Sequence, residues 1–287
     1  MYIFLKTRAS SRKRVMTPDA IPTVFVSHGA PTLSLEQVPA RQFLVDLGSR
    51  YRSVRAVLCI SAHWNTPRPC VTSGKIHATI HDFSGFAPEL YSIEYPSKGS
   101  PDLAGQVVDL LESAGLPCDL DPTRGLDHGA WVPLRLMFPK AEVPIVQLSI
   151  QQSLDPVAHV ALGEAIQKVR GSGVLVLGSG GAVHPLGNSH ASLGPGAPTD
   201  DWAKEFNTWL TRAITGGDHE SLVNYRTIAP FAHEAHPYPD HYMPLLVVFG
   251  AAGTGARGTV LHQSWDLGDL GMGAFEFIHE PAGEQSL

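Results

Sequence analysis

Cysteine is scarce in this chain, with 3 residues in 287. The count is odd and no two cysteines form a CxxC pair, so neither a disulfide framework nor a thiolate zinc site is indicated. Long apolar runs are also missing, because no stretch approaches the about 18 consecutive apolar residues of a membrane-spanning helix. The formal net charge of −6 argues against a nucleic-acid-binding surface. We therefore expect a cytoplasmic protein that binds neither membranes nor nucleic acid.

Two common motifs of catalysis and nucleotide binding are absent, the GxSxG nucleophile elbow and the Walker A loop. A Gly-rich turn, GSGG at residues 178–181, lacks the GxGxxG spacing of a dinucleotide site and runs into a histidine. Histidine itself is abundant, with 14 residues against 7 tyrosines and 5 tryptophans. Because histidine is the commonest metal ligand and a proton carrier near neutral pH, the positions of these residues carry the functional argument.

The first 20 residues differ in composition from the rest of the chain. They include Lys6, Arg8, Arg12, Lys13 and Arg14, and no acidic residue precedes Asp19. We predict that residues 1–20 form a disordered basic extension, with a transit peptide as the alternative. The remaining residues, 21–287, have the length of about one large domain.

Short apolar runs alternate with helix-like stretches beyond this extension. Buried strands are predicted at residues 21–29, 53–64, 143–150 and 173–181. Helices are predicted at residues 35–51, 101–115, 155–173 and 199–217, and possible antiparallel strands at residues 259–267 and 273–280. This alternation indicates a single α/β domain with a mostly parallel sheet, helices on both faces and some antiparallel C-terminal strands.

Three histidines follow or end predicted strands. They are His28 in VFVSHG, His63 in CISAHW and His184 in LVLGSGGAVHP. Ligands of open α/β sheets bind outside the carboxyl ends of the strands, so these side chains are expected to meet in one crevice. Neutral imidazoles from neighbouring strands with a third ligand suit zinc or ferrous iron, and geometry alone does not choose between a hydrolase and an oxygenase.

Further candidates lie outside the strands. His128 stands in GLDHGAW, and His236 and His241 stand in FAHEAHPYPDHYMP. His81 opens an aromatic segment, HDFSGFAPELYSIEYP, which either walls a pocket for a planar substrate or packs as a surface loop.

Six motifs in order resemble those of the LigB-type class III extradiol ring-cleavage dioxygenases, and most closely the 4,5-DOPA dioxygenase-like subgroup. They are SHGAP, SAHW, HDFSGFAPELYSIEYP, DHGAWVPL, GSGGAVHPLG and AHPYPDHYMPLL. The likeness runs from about residue 21 to about residue 280. It implies a mononuclear non-haem Fe(II) that opens catechol rings with O2, although Zn(II) is also associated with some members.

The resemblance implies roles for five histidines. His28 and His63 match the first two metal ligands, and His236, in the HPxxxH segment, matches the third. Glu234 and His241 are the alternatives for that third ligand.

The two other positions match proton-transfer groups. His184 matches the catalytic base and His128 a second acid/base histidine. The expected substrates are O2 and a catechol such as DOPA or a caffeate-like acid, opened to a muconic semialdehyde. Arg124 and Arg135 flank the DHGAW segment and are candidates for a substrate carboxylate.

Two other functions remain open from the sequence. One is a zinc-dependent hydrolase that uses the same three histidines, and the other is a binding protein that has kept the fold without catalysis. All five matched histidines are present, which disfavours the second alternative.

Overall fold

The computed structural model describes residues 21–185, 194 and 196–278. The basic extension predicted at residues 1–20 lies outside the described residues, as does the last part of the predicted strand 273–280.

Twelve strands are present in the described part of the chain. They are β1 Thr23–Ser27, β2 Ala56–Thr66, β3 Cys70–Thr72, β4 Ile76–His77, β5 Ser97–Lys98, β6 Asp119–Asp121, β7 Ile145–Gln151, β8 Val174–Gly180, β9 Arg257–His262, β10 Trp265–Asp266, β11 Leu270–Gly271 and β12 Ala274–Ile278. Eight of them form one sheet in the order β6-β3-β7-β2-β8-β1-β12-β9, and β4–β5 and β10–β11 form two-stranded sheets.

The centre of the large sheet is parallel. Strand β2 pairs in parallel with β7 and β8, and β8 pairs in parallel with β1. At one side β12 is antiparallel to β1, and β9 is antiparallel to β12. These pairings confirm the predicted sheet with its antiparallel C-terminal strands.

Ten α-helices surround the sheet in the described part of the chain. They are α1 Pro39–Arg50, α2 Pro88–Tyr91, α3 Pro101–Ser113, α4 His128–Met137, α5 Pro156–Ile166, α6 Asp201–Gly216, α7 His219–Val223, α8 Tyr225–Ile228, α9 Ala232–Ala235 and α10 Met243–Ala252. Short 3-10 segments span Pro31–Ser34, Gln167–Ser172 and Pro239–His241. No helix among the described residues is long and apolar enough to cross a membrane.

Two hydrophobic cores cover the two faces of the sheet, because successive strand residues point to opposite sides. In β2, Leu58 packs into one core and Val57 into the other. Helices α3, α5, α6 and α10 contribute to the Leu58 core, whereas α1 and α4 contribute to the Val57 core. The predicted arrangement with helices on both faces is therefore confirmed.

Helix α3 shows how closely local signals fix an element. The side chain of Ser100 caps its first turn by accepting from the Leu103 N–H at 3.3 Å, and Pro101 stands at the first helical position. The helix ends at Ser113, and Gly115 adopts a φ of +77°. By contrast, α10 is buried on every side, so its apolar run has no helical periodicity from which to predict it.

Candidate metal centre and active site

The carboxyl ends of β1 and β2 bring His28 and His63 together. His28 directly follows β1 and donates its backbone N–H to the carbonyl of Gly180, the last residue of β8, at 3.0 Å. Its Nε2 lies 3.1 Å from Nε2 of His63. With His128 they form a group in which one ring nitrogen of each residue lies within 4.8 Å of the others.

His128 is placed by the start of α4. Asp127 caps this helix by accepting from the Ala130 N–H at 3.1 Å, which makes His128 its first residue. Gly129 lets the helix come close to the strands, because a Cβ there would lie 2.4 Å from Ser61 Oγ and 2.7 Å from His63 Cδ2. The centroid of the His128 ring therefore lies 4.0 Å from the centroid of the His63 ring.

Two more histidines complete a cluster of five. His184 lies beyond the end of β8, and its ring stacks on that of His241 with centroids 3.6 Å apart. The ring of His241 also lies 5.2 Å from that of His28 and 4.9 Å from that of His63. The histidine cluster thus consists of His28, His63, His128, His184 and His241.

His236, predicted as the third metal ligand, occupies a different environment. Its ring packs against Phe206, Tyr225 and Tyr242, with centroids 5.3–6.1 Å apart. Its Nε2 lies 3.2 Å from the carbonyl oxygen of Ala182 and donates to it, because a carbonyl only accepts. His236 is fully buried, whereas Glu234 is exposed.

Hydrogen bonds at the outer nitrogens orient two rings of the cluster. His28 Nδ1 lies 3.0 Å from Ser179 Oγ, which in turn donates to the carbonyl of Gly129. Because Ser179 uses its proton there, His28 must donate from Nδ1 and keep the lone pair on Nε2. His241 Nδ1 donates to Asp240 Oδ1 at 3.1 Å, and its buried Nε2 has no hydrogen-bond partner among the described residues. Both Nε2 atoms are therefore available to a metal.

Burial favours the neutral form of four histidines of the cluster, His28, His63, His184 and His241. Desolvation and the charges of neighbouring histidines lower the pKa of His28 and of His241 well below the ordinary value. Burial and the charge of His128 lower the pKa of His63 to about 4. Burial also lowers the pKa of His184. Neutral imidazole is the form that binds metal ions and accepts protons.

Asp82 is the acidic partner of the cluster. Its Oδ1 accepts from the backbone N–H of His128 at 2.8 Å and from Nδ1 of His128 at 3.0 Å, and its Oδ2 lies 3.7 Å from Nδ1 of His63. Partial burial alone would raise the pKa of Asp82, but the hydrogen bonds and charge of His128 outweigh it and lower this pKa to about 2. The carboxylate is therefore ionised at neutral pH.

The donor set fits a metal ion. Two nitrogens bound to one zinc at about 2.0–2.1 Å stand roughly 2.9–3.4 Å apart, depending on the angle. The 3.1 Å between the Nε2 atoms of His28 and His63 falls in this range. Ring nitrogens of His28, His63 and His128 lie within 4.8 Å of one another. The ring of His241 lies 4.9 Å from that of His63, between centroids, and its buried Nε2 has no hydrogen-bond partner among the described residues. Fewer than four protein ligands leave positions for substrate, as in catalytic metal sites.

Asp127 anchors a buried hydrogen-bond network beside the cluster. It accepts from Ser61 Oγ at 2.6 Å, from Gln147 Nε2 at 2.6 Å and from Arg124 Nη2 at 3.1 Å. The Arg124 guanidinium also packs over the Trp64 ring at 4.7 Å. Arg124 is therefore tied to this network through Nη2.

Aromatic side chains of the 81–96 segment stand next to His128. Phe83 contacts the His128 ring edge-on at 5.7 Å, and its ring lies 5.4 Å from that of Phe86 and 5.1 Å from that of Tyr91. Phe83 and Phe86 are half-buried and Tyr91 is exposed. The segment thus presents an aromatic wall, Phe83, Phe86 and Tyr91, beside the cluster.

Sequence reasoning missed the carboxylates that orient these rings. Asp82 bonds His128, which is distant in sequence, and Asp240 bonds the adjacent His241. Only for Asp240 in DHY was there a sequence signal, an acidic residue directly beside the histidine it bonds, because ligand histidines commonly donate their second N–H to a carboxylate.

Comparison with known proteins shows the family of this chain. Residues 22–273 match the family model described as the catalytic LigB subunit of aromatic ring-opening dioxygenase. The chain is 42% identical to 4,5-DOPA dioxygenase extradiol of Beta vulgaris, over 89% of this chain and 96% of the relative. It is 35% identical to the Escherichia coli K12 protein of the same name, over 90% of this chain and 95% of the relative.

A solved structure shares the fold. The crystal structure of an uncharacterized protein from Escherichia coli K12 superposes with a TM-score of 0.72 at 31% identity, covering 90% of this chain and 100% of that one. The expected family and the expected class of enzyme are therefore confirmed, and the chain belongs to the LigB family of aromatic ring-opening dioxygenases.

Proposed function

We propose that this enzyme opens the ring of a catechol by extradiol cleavage with O2, at a metal held by the histidine cluster. The observation that carries the proposal is a cluster of five contacting histidines, two of which have their Nε2 atoms 3.1 Å apart. Four relatives at 35–42% identity are named 4,5-DOPA dioxygenase extradiol, which supports an extradiol cut.

The proposed metal ligands are His28, His63 and His241. His241 is favoured over His236 because its ring lies 5.2 Å from that of His28 and 4.9 Å from that of His63, between centroids. The ring of His236 instead packs against Phe206, Tyr225 and Tyr242. Fe(II) is the proposed ion, since it would bring catechol and O2 together and allow electron transfer between them; Zn(II) suits the same nitrogens.

His184 is the proposed base for a catechol hydroxyl. It is neutral at pH 7 because burial lowers its pKa, so a ring nitrogen is free to take the proton. Its stacking on His241 holds it beside a proposed ligand.

His128 is the proposed second acid/base group. Its Nδ1 donates to Asp82, so Nε2 is the atom that exchanges a proton with substrate. The ionised Asp82 carboxylate would stabilise the imidazolium formed when Nε2 takes a proton.

The proposed substrates are catechols that carry a side chain, such as DOPA or a caffeate-like acid. The names of the relatives support this class. The aromatic wall supports it independently, because Phe83, beside His128, offers a face for a planar ring.

Oxygen uptake tests the proposed function. Metal-free protein would be reloaded without air with Fe(II) or, in parallel, Zn(II), and then mixed with aerated buffer and a panel of catechols. We expect one O2 consumed per catechol in the iron sample alone, together with a yellow ring-opened product. His184→Ala should keep the metal and lose turnover, whereas His241→Ala should lose the metal.

Two outcomes would count against the proposal. Turnover that does not need oxygen would favour a zinc hydrolase at the same histidines, and undiminished turnover in His184→Ala would remove that residue from the mechanism. Metal loss in a His236 variant with retention in His241→Ala would return His236 to the ligand set.

A further inference from the structure

His236 is a buried histidine that the proposed chemistry does not use. It is 0% exposed, and its ring is enclosed by Phe206, Tyr225 and Tyr242. A neutral imidazole carries one N–H, and the carbonyl of Ala182 at 3.2 Å requires that this proton sit on Nε2. Nδ1 then carries no proton, and it is buried without a hydrogen-bond partner in the part of the chain that the structure describes.

The acceptor of this hydrogen bond lies in the segment that carries His184. Residues 181–184 follow β8, and three hydrogen bonds join them to residues 235–241. Gly181 N–H donates to the carbonyl of His241 at 3.0 Å, and His184 N–H donates to the carbonyl of Ala235 at 2.8 Å. The third is the bond from Nε2 of His236 to the carbonyl of Ala182, and it is the only one of these three that uses a side chain.

The two joined segments carry the two stacked rings of the cluster. Residues 181–184 carry the His184 ring, and residues 235–241 carry the His241 ring. The two rings stack with centroids 3.6 Å apart and 13° between their planes. The separation of the two segments therefore sets the separation of the rings. On its far side His236 is held by Arg226, whose Nη1 donates to the carbonyl of His236 at 2.8 Å. The aromatic cage fixes the ring itself.

We infer that His236 is a positioning residue, whose Nε2–H holds the Ala182 carbonyl and thereby sets His184 against His241. The inference rests on the proposed function for its effect on turnover, and on the contacts above for its effect on structure. This role replaces the metal binding that the family resemblance implies for His236, the first histidine of the HPxxxH segment. Loss of such a supporting hydrogen bond typically costs about 10–100-fold in activity.

Two substitutions of His236 separate the hydrogen bond from the volume of the ring. His236→Phe keeps an aromatic ring in the aromatic cage but removes the donor. His236→Gln restores an N–H near the position of Nε2. His159→Phe is the matched control, because His159 is equally buried and bonded to backbone atoms at both ring nitrogens, in a helix that carries none of the clustered histidines.

Zinc content and histidine 15N NMR of the full-length protein are the readouts that need no substrate. We expect His236→Phe to bind Zn(II) in the same ratio as the wild type. The ring signals of His184 and His241 should shift in this variant and return in His236→Gln. In the wild type, the ring signals of His236 should show a protonated Nε2 and should not change when Zn(II) is added. These signals are identified by their absence from the spectrum of His236→Gln.

Kinetics then measure the consequence for catalysis. With Fe(II), kcat of His236→Phe should fall about 10–100-fold with KM changed by less than about threefold. His236→Gln should recover most of the loss, and His159→Phe should leave kcat per bound metal unchanged.

Three results would overturn the inference. They are loss of zinc from His236→Phe, a zinc-induced change in the His236 ring signals, or unchanged signals of His184 and His241 in the Phe variant. Each of these results is measured without turnover. A wild type that opens no catechol would therefore contradict the proposed function but not the inference about His236. If His236→Phe fails to fold, His236→Met removes the same donor, and the wild-type NMR decides the tautomer in any case.

Discussion

The metal affinity of the histidine cluster is expected to change little between about pH 7 and about pH 5.5. An imidazole binds metal only when neutral. Over this interval the neutral fraction of a histidine with the ordinary pKa of about 6.5 falls roughly eightfold, so the affinity of a site with three such ligands would fall about 600-fold. Burial lowers the pKa of His63 to about 4 and those of His28 and His241 well below the ordinary value. These lowered pKa values keep the three imidazoles neutral at about pH 5.5, so we expect the metal affinity to fall by less than about 1.5-fold.

Competition for Zn(II) with a chromophoric chelator at both pH values measures this affinity, with circular dichroism to confirm that the protein stays folded. The check on folding is needed because unfolded histidines take up protons below about pH 6.5, whereas burial holds the pKa values of His28, His63 and His241 lower in the folded protein. Stability of the metal-free protein is therefore lost as the pH falls from about 6.5 toward about 4. A 600-fold drop in zinc affinity of a folded protein would refute the reasoning.

Three further changes have defined expectations. Asp82→Asn removes the carboxylate that orients His128, so kcat should fall about 10–100-fold while metal analysis shows full occupancy. Gly129→Ala places a methyl group 2.7 Å from His63 Cδ2, so zinc affinity by chelator competition should fall at least about tenfold; unchanged affinity would mean that the start of α4 yields easily. Ser100→Ala removes the cap of α3 and should cost about 1 kcal/mol of unfolding free energy in urea, with turnover per metal unchanged.

The central strands could be predicted because they are apolar throughout. β1, β7 and β8 are buried along almost their whole length, and each lies within or close to its predicted run. Helix α4 could not be predicted in the same way. Nine of its ten residues are buried, so it presents no polar face, and it contains Pro133. Its start is marked locally by the cap at Asp127, but its course is fixed by close packing at Gly129 against Ser61 and His63, which is a tertiary effect.

Prediction of the site succeeded where strand ends determine position. His28, His63 and His184 follow from the rule that parallel strands deliver their carboxyl ends to one edge, and the structure brings them into one cluster. The choice between His236 and His241 could not be made in that way. Both lie in a short irregular segment, where the direction of a side chain depends on the aromatic cage and on Asp240 rather than on any sequence period.

The place of β1 in the sheet constrains how the enzyme is made. β1 is synthesised almost first, but its neighbours are β8 and β12, from the second half and the very end of the described chain. A nascent chain leaves the ribosome N-terminus first, so β1 has no native pairing partner until β8 emerges and lacks its second partner until β12 does. His28 and His241 likewise meet only late. Premature termination before β12 would leave β1 as an exposed edge able to pair with other chains.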